Sequence, residues 1–176
     1  QANPWKSLQD VFSAQKTFNS GDVIYLLTGA HGSPYMTGTH SDYVTIKPLS
    51  GENPVLASVQ VENGSYWAFD GLTFSTNGSG GSFARDYMFL TKNNATYLKI
   101  ENCTFSWYAN SEDAVIIRGD NVIFNNNTIK NVYFGLQIEG DYAEVKNNLI
   151  DNFGADAIRA LGSHAIYENN IIRDAY

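Results

Sequence analysis

Residues 113–129 read Asp113-Ala114-Val115-Ile116-Ile117-Arg118-Gly119-Asp120-Asn121-Val122-Ile123-Phe124-Asn125-Asn126-Asn127-Thr128-Ile129. Two short apolar runs flank the Gly119-Asp120 turn, and an asparagine turn leads to a third run at Thr128. Inward apolar residues alternate with outward polar ones, which is the pattern of a strand with one buried face. The whole unit is therefore strand, glycine turn, strand, asparagine turn, short strand.

The same unit recurs on both sides of this stretch. Tyr66-Trp67-Ala68-Phe69-Asp70-Gly71-Leu72-Thr73-Phe74 aligns with Tyr97-Leu98-Lys99-Ile100-Glu101-Asn102-Cys103-Thr104-Phe105, and copies follow from Tyr142 and from His164. Ile46, Phe69, Ile100, Phe124, Val145 and Tyr167 form one column, separated by 23, 31, 24, 21 and 22 residues. A fixed period of roughly 20–50 residues marks a repeat architecture. A preceding strand also recurs, as Val59-Gln60-Val61, Met88-Phe89-Leu90, Val115-Ile116-Ile117, Leu136-Gln137-Ile138 and Ile158-Arg159-Ala160. Three short strands per coil of about 22 residues give an all-β, right-handed parallel β-helix of about six coils. Each coil shares its core with its neighbours, because one coil alone cannot bury its inner face. Asn102, Asn126, Asn147 and Asn169 share one position, where stacked amides are expected to form a ladder closed to solvent.

Composition agrees. The 176 residues include 19 asparagines and 15 glycines, aromatic residues make up 14%, and charged residues only 16%. The net charge of −7 argues against a nucleic-acid partner, which calls for a basic patch. No apolar run is long enough to span a membrane. The single cysteine, Cys103, excludes an internal disulfide framework.

The single domain is expected to cover residues 1–176, with an N-terminal cap at about 4–18 and coils at about 21–176. Trp5, Leu8, Val11, Phe12 and Phe18 lie on one face of a short helix capped by Ser7. At the other end the chain stops after the third strand of a regular coil. The expectation there is a continuation of the β-helix, or a partner chain over the open end. With no basic start or apolar leader at residue 1, the chain reads as a mature secreted or periplasmic protein.

This organisation resembles the pectin-lyase-like superfamily of right-handed β-helices. Gly21-Asp22-Val23-Ile24-Tyr25-Leu26, Tyr43-Val44-Thr45-Ile46-Lys47-Pro48 and Ser50-Gly51-Glu52-Asn53-Pro54-Val55-Leu56 are similar to the first coils of alginate and chondroitin lyase-type enzymes. The resemblance implies a carbohydrate-active protein whose saccharide lies along the first-strand sheet and its preceding loops. Adjacent Asp-Asp, Gly-His-Gly and Asp-Pro-His motifs are missing, as is an Arg-His pair with a lysine one coil earlier. The polygalacturonase and epimerase patterns are thus absent from this segment, and the lyase family's catalytic coils would lie beyond Tyr176.

On the first-strand sheet the outward positions read Gln60/Glu62, Phe89/Thr91, Ile116/Arg118, Gln137/Glu139 and Arg159/Leu161. Arg118 and Glu139 fall in one column on adjacent coils. They form either a surface ion pair, worth about 0–1 kcal/mol, or part of a uronate site. In β-elimination a cation neutralises the carboxylate, a base removes the proton alpha to it, and an acid protonates the leaving oxygen. Arg118, Arg159 and Glu139 are the catalytic candidates. Gln137, Trp107, Tyr108, Tyr133 and Lys146 are the substrate-binding candidates, the aromatic ones as stacking faces; Lys146, on the second strand, ranks lower.

Asp86, Asp113 and Asp156 precede first strands, where aspartate normally caps loop backbone. The alternative is a Ca²⁺ site built from Asp113, Asp156 and Asp141. Asp113 with Glu139 is also a formal hydrolase pair, which requires a separation of about 5–9.5 Å. The leading expectation is a lyase acting on an acidic polysaccharide. The alternatives are a glycan-binding, tailspike-like module and a glycoside hydrolase.

Overall fold

The structure is a computed structural model that describes residues 5–75, 86–92, 94–107 and 113–176. One short helix, α1 (Leu8–Ser13), precedes a parallel solenoid. In chain order its strands are β1 (Val23–Leu26), β2 (Gly29–Ala30), β3 (Tyr35–Pro48), β4 (Pro54–Leu56), β5 (Val59–Asp70), β6 (Thr73–Ser75), β7 (Tyr87–Thr91), β8 (Lys99–Glu101) and β9 (Thr104–Ser106). They continue as β10 (Asp113–Ile117), β11 (Ile123–Asn125), β12 (Thr128–Val132), β13 (Phe134–Ile138), β14 (Glu144–Lys146), β15 (Leu149–Phe153), β16 (Ile158–Ala160), β17 (Ile166–Glu168) and β18 (Ile171–Ala175).

Each coil has three sides. Side one stacks the start of β5 on β7, then β10, β13 and β16. Side two stacks the end of β5 on β8, β11, β14 and β17. Side three runs β2, β4, β6, β9, β12, β15, β18. The long strands β3 and β5 turn the corner between sides one and two without a break, so those two sides form one sheet.

The column expected from sequence holds throughout: Ile24, Ile46, Phe69, Ile100, Phe124, Val145 and Tyr167 are successive register partners. From Ile46 to Val145 they are fully buried. Side three contributes Phe74 and Phe105, stacked at 4.5 Å between centroids, followed by buried Ile129 and Ile150.

The first-strand column is off by one residue in one coil. Val59 pairs with Phe89 and Gln60 with Leu90, so Phe89-Leu90-Thr91, not Met88-Phe89-Leu90, is the equivalent triplet. Phe89 and Thr91 point inward and are fully buried.

The asparagine column is also corrected. Asn102, Asn126, Asn147 and Asn169 all have φ between 55° and 58° and form the left-handed corner between sides two and three, a conformation asparagine tolerates better than most residues. Asn102 and Asn126 are exposed there. The buried amide ladder lies one residue later. Asn127 Oδ1 accepts from Cys103 N at 2.8 Å, and its Nδ2 donates to Ile100 O at 2.8 Å. Asn148 repeats this with Asn127 N and Phe124 O, and Asn170 with Asn148 N and Val145 O. In the three coils that carry a doublet, the first asparagine turns the chain and the second satisfies buried backbone groups.

Glycine turns mark the corner between sides one and two. A Cβ on Gly140 would sit 2.0 Å from Gly119 O, and one on Gly162 would sit 1.9 Å from Gly140 O. Successive corners are therefore in backbone contact.

At the N-terminus, Ser7 caps α1, its hydroxyl accepting from Asp10 N at 3.1 Å. Leu8 is buried in the core, whereas Trp5 is exposed and does not belong to the helix's inner face. Leu8 N donates to His31 Nδ1 at 3.1 Å, and His31 Nε2 lies 2.8 Å from Leu27 O. Since a carbonyl only accepts, Nε2 carries the proton, and one neutral imidazole ties the cap to the first coil.

Candidate functional site

The outer surface of side one carries two columns. Tyr35, Gln60, Leu90, Ile116, Gln137 and Arg159 are successive register partners in the first. Two residues further along each coil come Glu62, Lys92, Arg118, Glu139 and Leu161. Backbone bonds fix this second column: Lys92 N donates to Val61 O, Glu139 N to Ile117 O and Leu161 N to Ile138 O. At Arg118 the link runs through a side chain, since Thr91 Oγ1 accepts from Arg118 N at 2.8 Å and from Gly119 N at 3.3 Å.

The corrected register therefore puts two cations, Lys92 and Arg118, on adjacent coils, about 4.8 Å apart along the stack, with a carboxylate at each end. Lys92 Nζ is 3.5 Å from Glu62 Oε2. Arg118 Nε donates to both Glu139 oxygens, at 3.1 and 3.2 Å. Asn94 Nδ2 donates to Asn63 Oδ1 at 2.8 Å just beyond. Glu62, Asn63, Lys92, Asn94 and Arg118 line a cleft of about 350 Å³. Lys92 is missed by sequence reasoning because Met88, Phe89 and Leu90 are all apolar and give no alternation to fix the register, so Glu62, though read as outward, is left without its partner.

The network extends along the first column. Gln137 Nε2 donates to Glu139 Oε1, and Arg159 Nη1 donates to Gln137 Oε1 at 3.4 Å. Arg159 also bonds Asp156 through Nε at 2.8 Å and sits 4.5 Å above the Phe134 ring. Arg118, Glu139, Gln137, Arg159 and Asp156 thus form one connected chain. At the other end Tyr87 donates to Gln60 Oε1 at 2.6 Å and Tyr35 to Glu62 Oε2 at 3.0 Å. The Tyr35 phenol is raised above the usual tyrosine range, first by that hydrogen bond to Glu62 and then by burial, so it holds its proton.

The remaining candidates lie elsewhere. Trp107 is only 8% exposed and offers no stacking face. Tyr133 is exposed and packs edge-on against Phe134 at 4.9 Å, at the corner leading into side one. Tyr108 lies outside the described residues. Lys146 is on side two, paired with Glu144 at 3.1 Å and Glu168 at 3.3 Å, and takes no part in this surface. The lysine is raised above its usual range, chiefly by the Glu144 bond.

The proposed calcium trio does not assemble. Asp113 and Asp156 share a column, but Phe134 occupies the coil between them. Asp141 sits at a different corner, where its Oδ1 accepts from Ser163 N and Oγ at 2.7 Å, and these bonds hold its carboxyl below the usual range. Among the described residues no three His, Cys, Asp or Glu side chains converge as a metal site. Asp113 begins β10, and Glu139 lies five residues beyond the Asp113 partner Phe134. That is about 16 Å along the sheet, too far for a hydrolase pair.

Residues 57–176 match the family described as right handed beta helix region. The chain belongs to that family. The matched stretch begins at the corner between β4 and β5 and takes in every later coil of this right-handed β-helix. Among solved structures the chain is similar to the pectin methylesterase from Aspergillus niger, with 13% identity over 98% of this chain and 75% of that one, at a TM-score of 0.58. A second, deglycosylated form of that protein aligns over the same shares with 14% identity and a TM-score of 0.49. At this identity the likeness shows the fold alone. No curated protein matches the chain. No helix is long and apolar enough to cross a membrane among the described residues.

Proposed function

We propose that this β-helix is a secreted, carbohydrate-active protein that takes an acidic polysaccharide along side one, and that the reaction at that surface is β-elimination. The observation that carries the reading is the adjacent pair Lys92 and Arg118, flanked by amides and carboxylates in one cleft. A uronate carboxylate seated between the two cations would have its charge neutralised, which lowers the barrier to losing the alpha proton. Glu139, already beside Arg118, is the acceptor for that proton. The carbon–hydrogen electrons form the new double bond as the glycosidic oxygen departs and takes a proton from solvent. The pectin methylesterase of similar fold is, by its name, a protein that acts on pectin, an acidic polysaccharide.

One observation favours binding without cleavage as the second reading. The Arg118 and Glu139 side chains are 36% and 31% exposed and paired through Arg118 Nε, so a carboxylate ligand that takes this Nε exchanges partners with Glu139 and leaves that base displaced. Incubation with alginate, pectate and chondroitin separates the readings. Cleavage raises the unsaturated-uronate absorbance, whereas the binding reading gives calorimetric heat with no absorbance change. Lys92→Ala and Arg118→Ala should each weaken binding about tenfold or more, consistent with loss of a charge-assisted bond of about 1.5–3 kcal/mol. If wild-type protein neither binds nor cleaves any of the three polymers, the reading is wrong.

A further inference from the structure

The corner between sides one and two carries a second column that the cation cleft does not use. Tyr66, Tyr97, Asn121, Tyr142 and His164 are equivalent: Tyr66 N donates to Thr96 O, Tyr97 N to Asp120 O, Asn121 N to Asp141 O and Tyr142 N to Ser163 O. All five share φ values of 52° to 59°, so their side chains leave the backbone in the same way. The rings stack along the solenoid. Tyr66 and Tyr97 lie 4.9 Å apart with planes within 4°, and Tyr142 and His164 lie 4.9 Å apart within 15°. Between these two stacks the coil carries Asn121, whose short side chain reaches only the base of the column.

The missing ring leaves a slot. Tyr97 and Tyr142 face each other across two coil steps, about twice the 4.9 Å ring spacing of the stacks on either side. One ring placed there lies about 4.9 Å from both, within the range of about 4.5–7 Å at which ring faces attract. The exposure of the two walls agrees, at 42% for Tyr97 and 58% for Tyr142. Both slot walls are broad apolar faces, and the Asn121 amide at the floor supplies a donor and an acceptor for ring hydroxyls.

We infer that the slot between Tyr97 and Tyr142, floored by Asn121, is a binding site for one pyranose ring. A pyranose presents C–H faces to both tyrosines and equatorial hydroxyls to Asn121 and to solvent. This site stands on the stack geometry alone and requires no charge on the sugar. It therefore goes beyond the cation-cleft reading and survives or fails separately from it.

Methyl β-D-galactopyranoside, a neutral probe, tests the site by saturation-transfer NMR on the full chain. The expected result is transfer to the ring protons from wild-type protein. Asn121→Tyr fills the slot with a ring in a backbone conformation that three tyrosines of this column already adopt. It should abolish transfer while holding or raising the melting temperature, so the loss is not misfolding. Tyr142→Ala removes one wall and should weaken binding about three- to tenfold, and Tyr97→Phe should leave it unchanged. Lys92→Ala and Arg118→Ala should not alter the signal. Absence of transfer in wild type, transfer that persists in Asn121→Tyr, or binding of phenol without binding of the pyranoside overturns the assignment.

Discussion

Asn127 and Asn148 are joined through the interior of the solenoid: Asn127 N donates to Asn148 Oδ1 at 2.8 Å, and both side chains are almost completely buried. Each amide also donates to a carbonyl of the preceding coil. One side chain therefore satisfies a backbone N–H that no strand pairing reaches and adds a second donor to a ladder carbonyl. Asn148→Ala strands Asn127 N and should destabilise the fold by about 1–3 kcal/mol, the cost of one unsatisfied buried group. Urea unfolding measures this. Cys103 stands one coil earlier in the same column, so Cys103→Asn should cost far less, because its amide meets Phe69 O as the thiol now does at 3.6 Å.

The Cys103 thiol is fully buried, and loss of solvation pushes it up to about 12. It should not react with maleimide in native protein and should react once the chain unfolds. The alkaline consequence has a definite sign. The folded state holds the proton to higher pH than the unfolded chain, so the contribution is intact below about pH 9 and falls as pH rises towards 12, by about 1.4 kcal/mol per pH unit. Unfolding measured from pH 8 to 10.5 should show a steeper decline for wild type than for Cys103→Ala.

Thr91 supports the candidate site from inside. Its hydroxyl accepts from Arg118 N and Gly119 N, in place of a backbone carbonyl. Thr91→Val keeps the shape and removes the acceptor, at a cost of about 1–3 kcal/mol. The melting temperature should drop, and affinity for acidic polymers should fall with it as the Arg118 backbone loosens. Thr91→Ser, which keeps the acceptor, should restore affinity.

Ser58 lies at the corner between β4 and β5, fully buried, and its Oγ has no hydrogen-bond partner. Burying a hydroxyl without a partner is costly. Ser58→Ala should be neutral or stabilising by up to about 1 kcal/mol, measured as a shift in the urea midpoint.

The sequence shows the inward columns plainly, because Ile100, Phe124 and Val145 recur at near-constant spacing among alternating residues. Two things are hidden. Four residues separate Lys92 from Tyr97 in their coil, where two separate Arg118 from Asn121 and Glu139 from Tyr142 in the next two coils. That insertion, with the all-apolar Met88-Phe89-Leu90, removes the signal that would place Lys92 beside Arg118. The asparagine doublets are visible, but which member turns and which is buried depends on φ, and both members have the same side chain. The Arg118–Glu139 column is legible because both residues follow regular strands. Asp141 and Asp156 are not, because each sits beside a bend between strands, and position in a repeat does not say which way such a side chain points.

The touching glycine corners carry a mechanical meaning. With Gly119, Gly140 and Gly162 in backbone contact and every strand pairing parallel to the next coil, a load applied along the chain cannot stretch the solenoid evenly. It must strip one coil at a time from an end, breaking three strand contacts together. Each rupture then frees about 21 residues, as counted between Asn127 and Asn148, or about 70 Å of extended chain. Under force the molecule would lengthen as a ratchet, each step set by the length of the coil it releases.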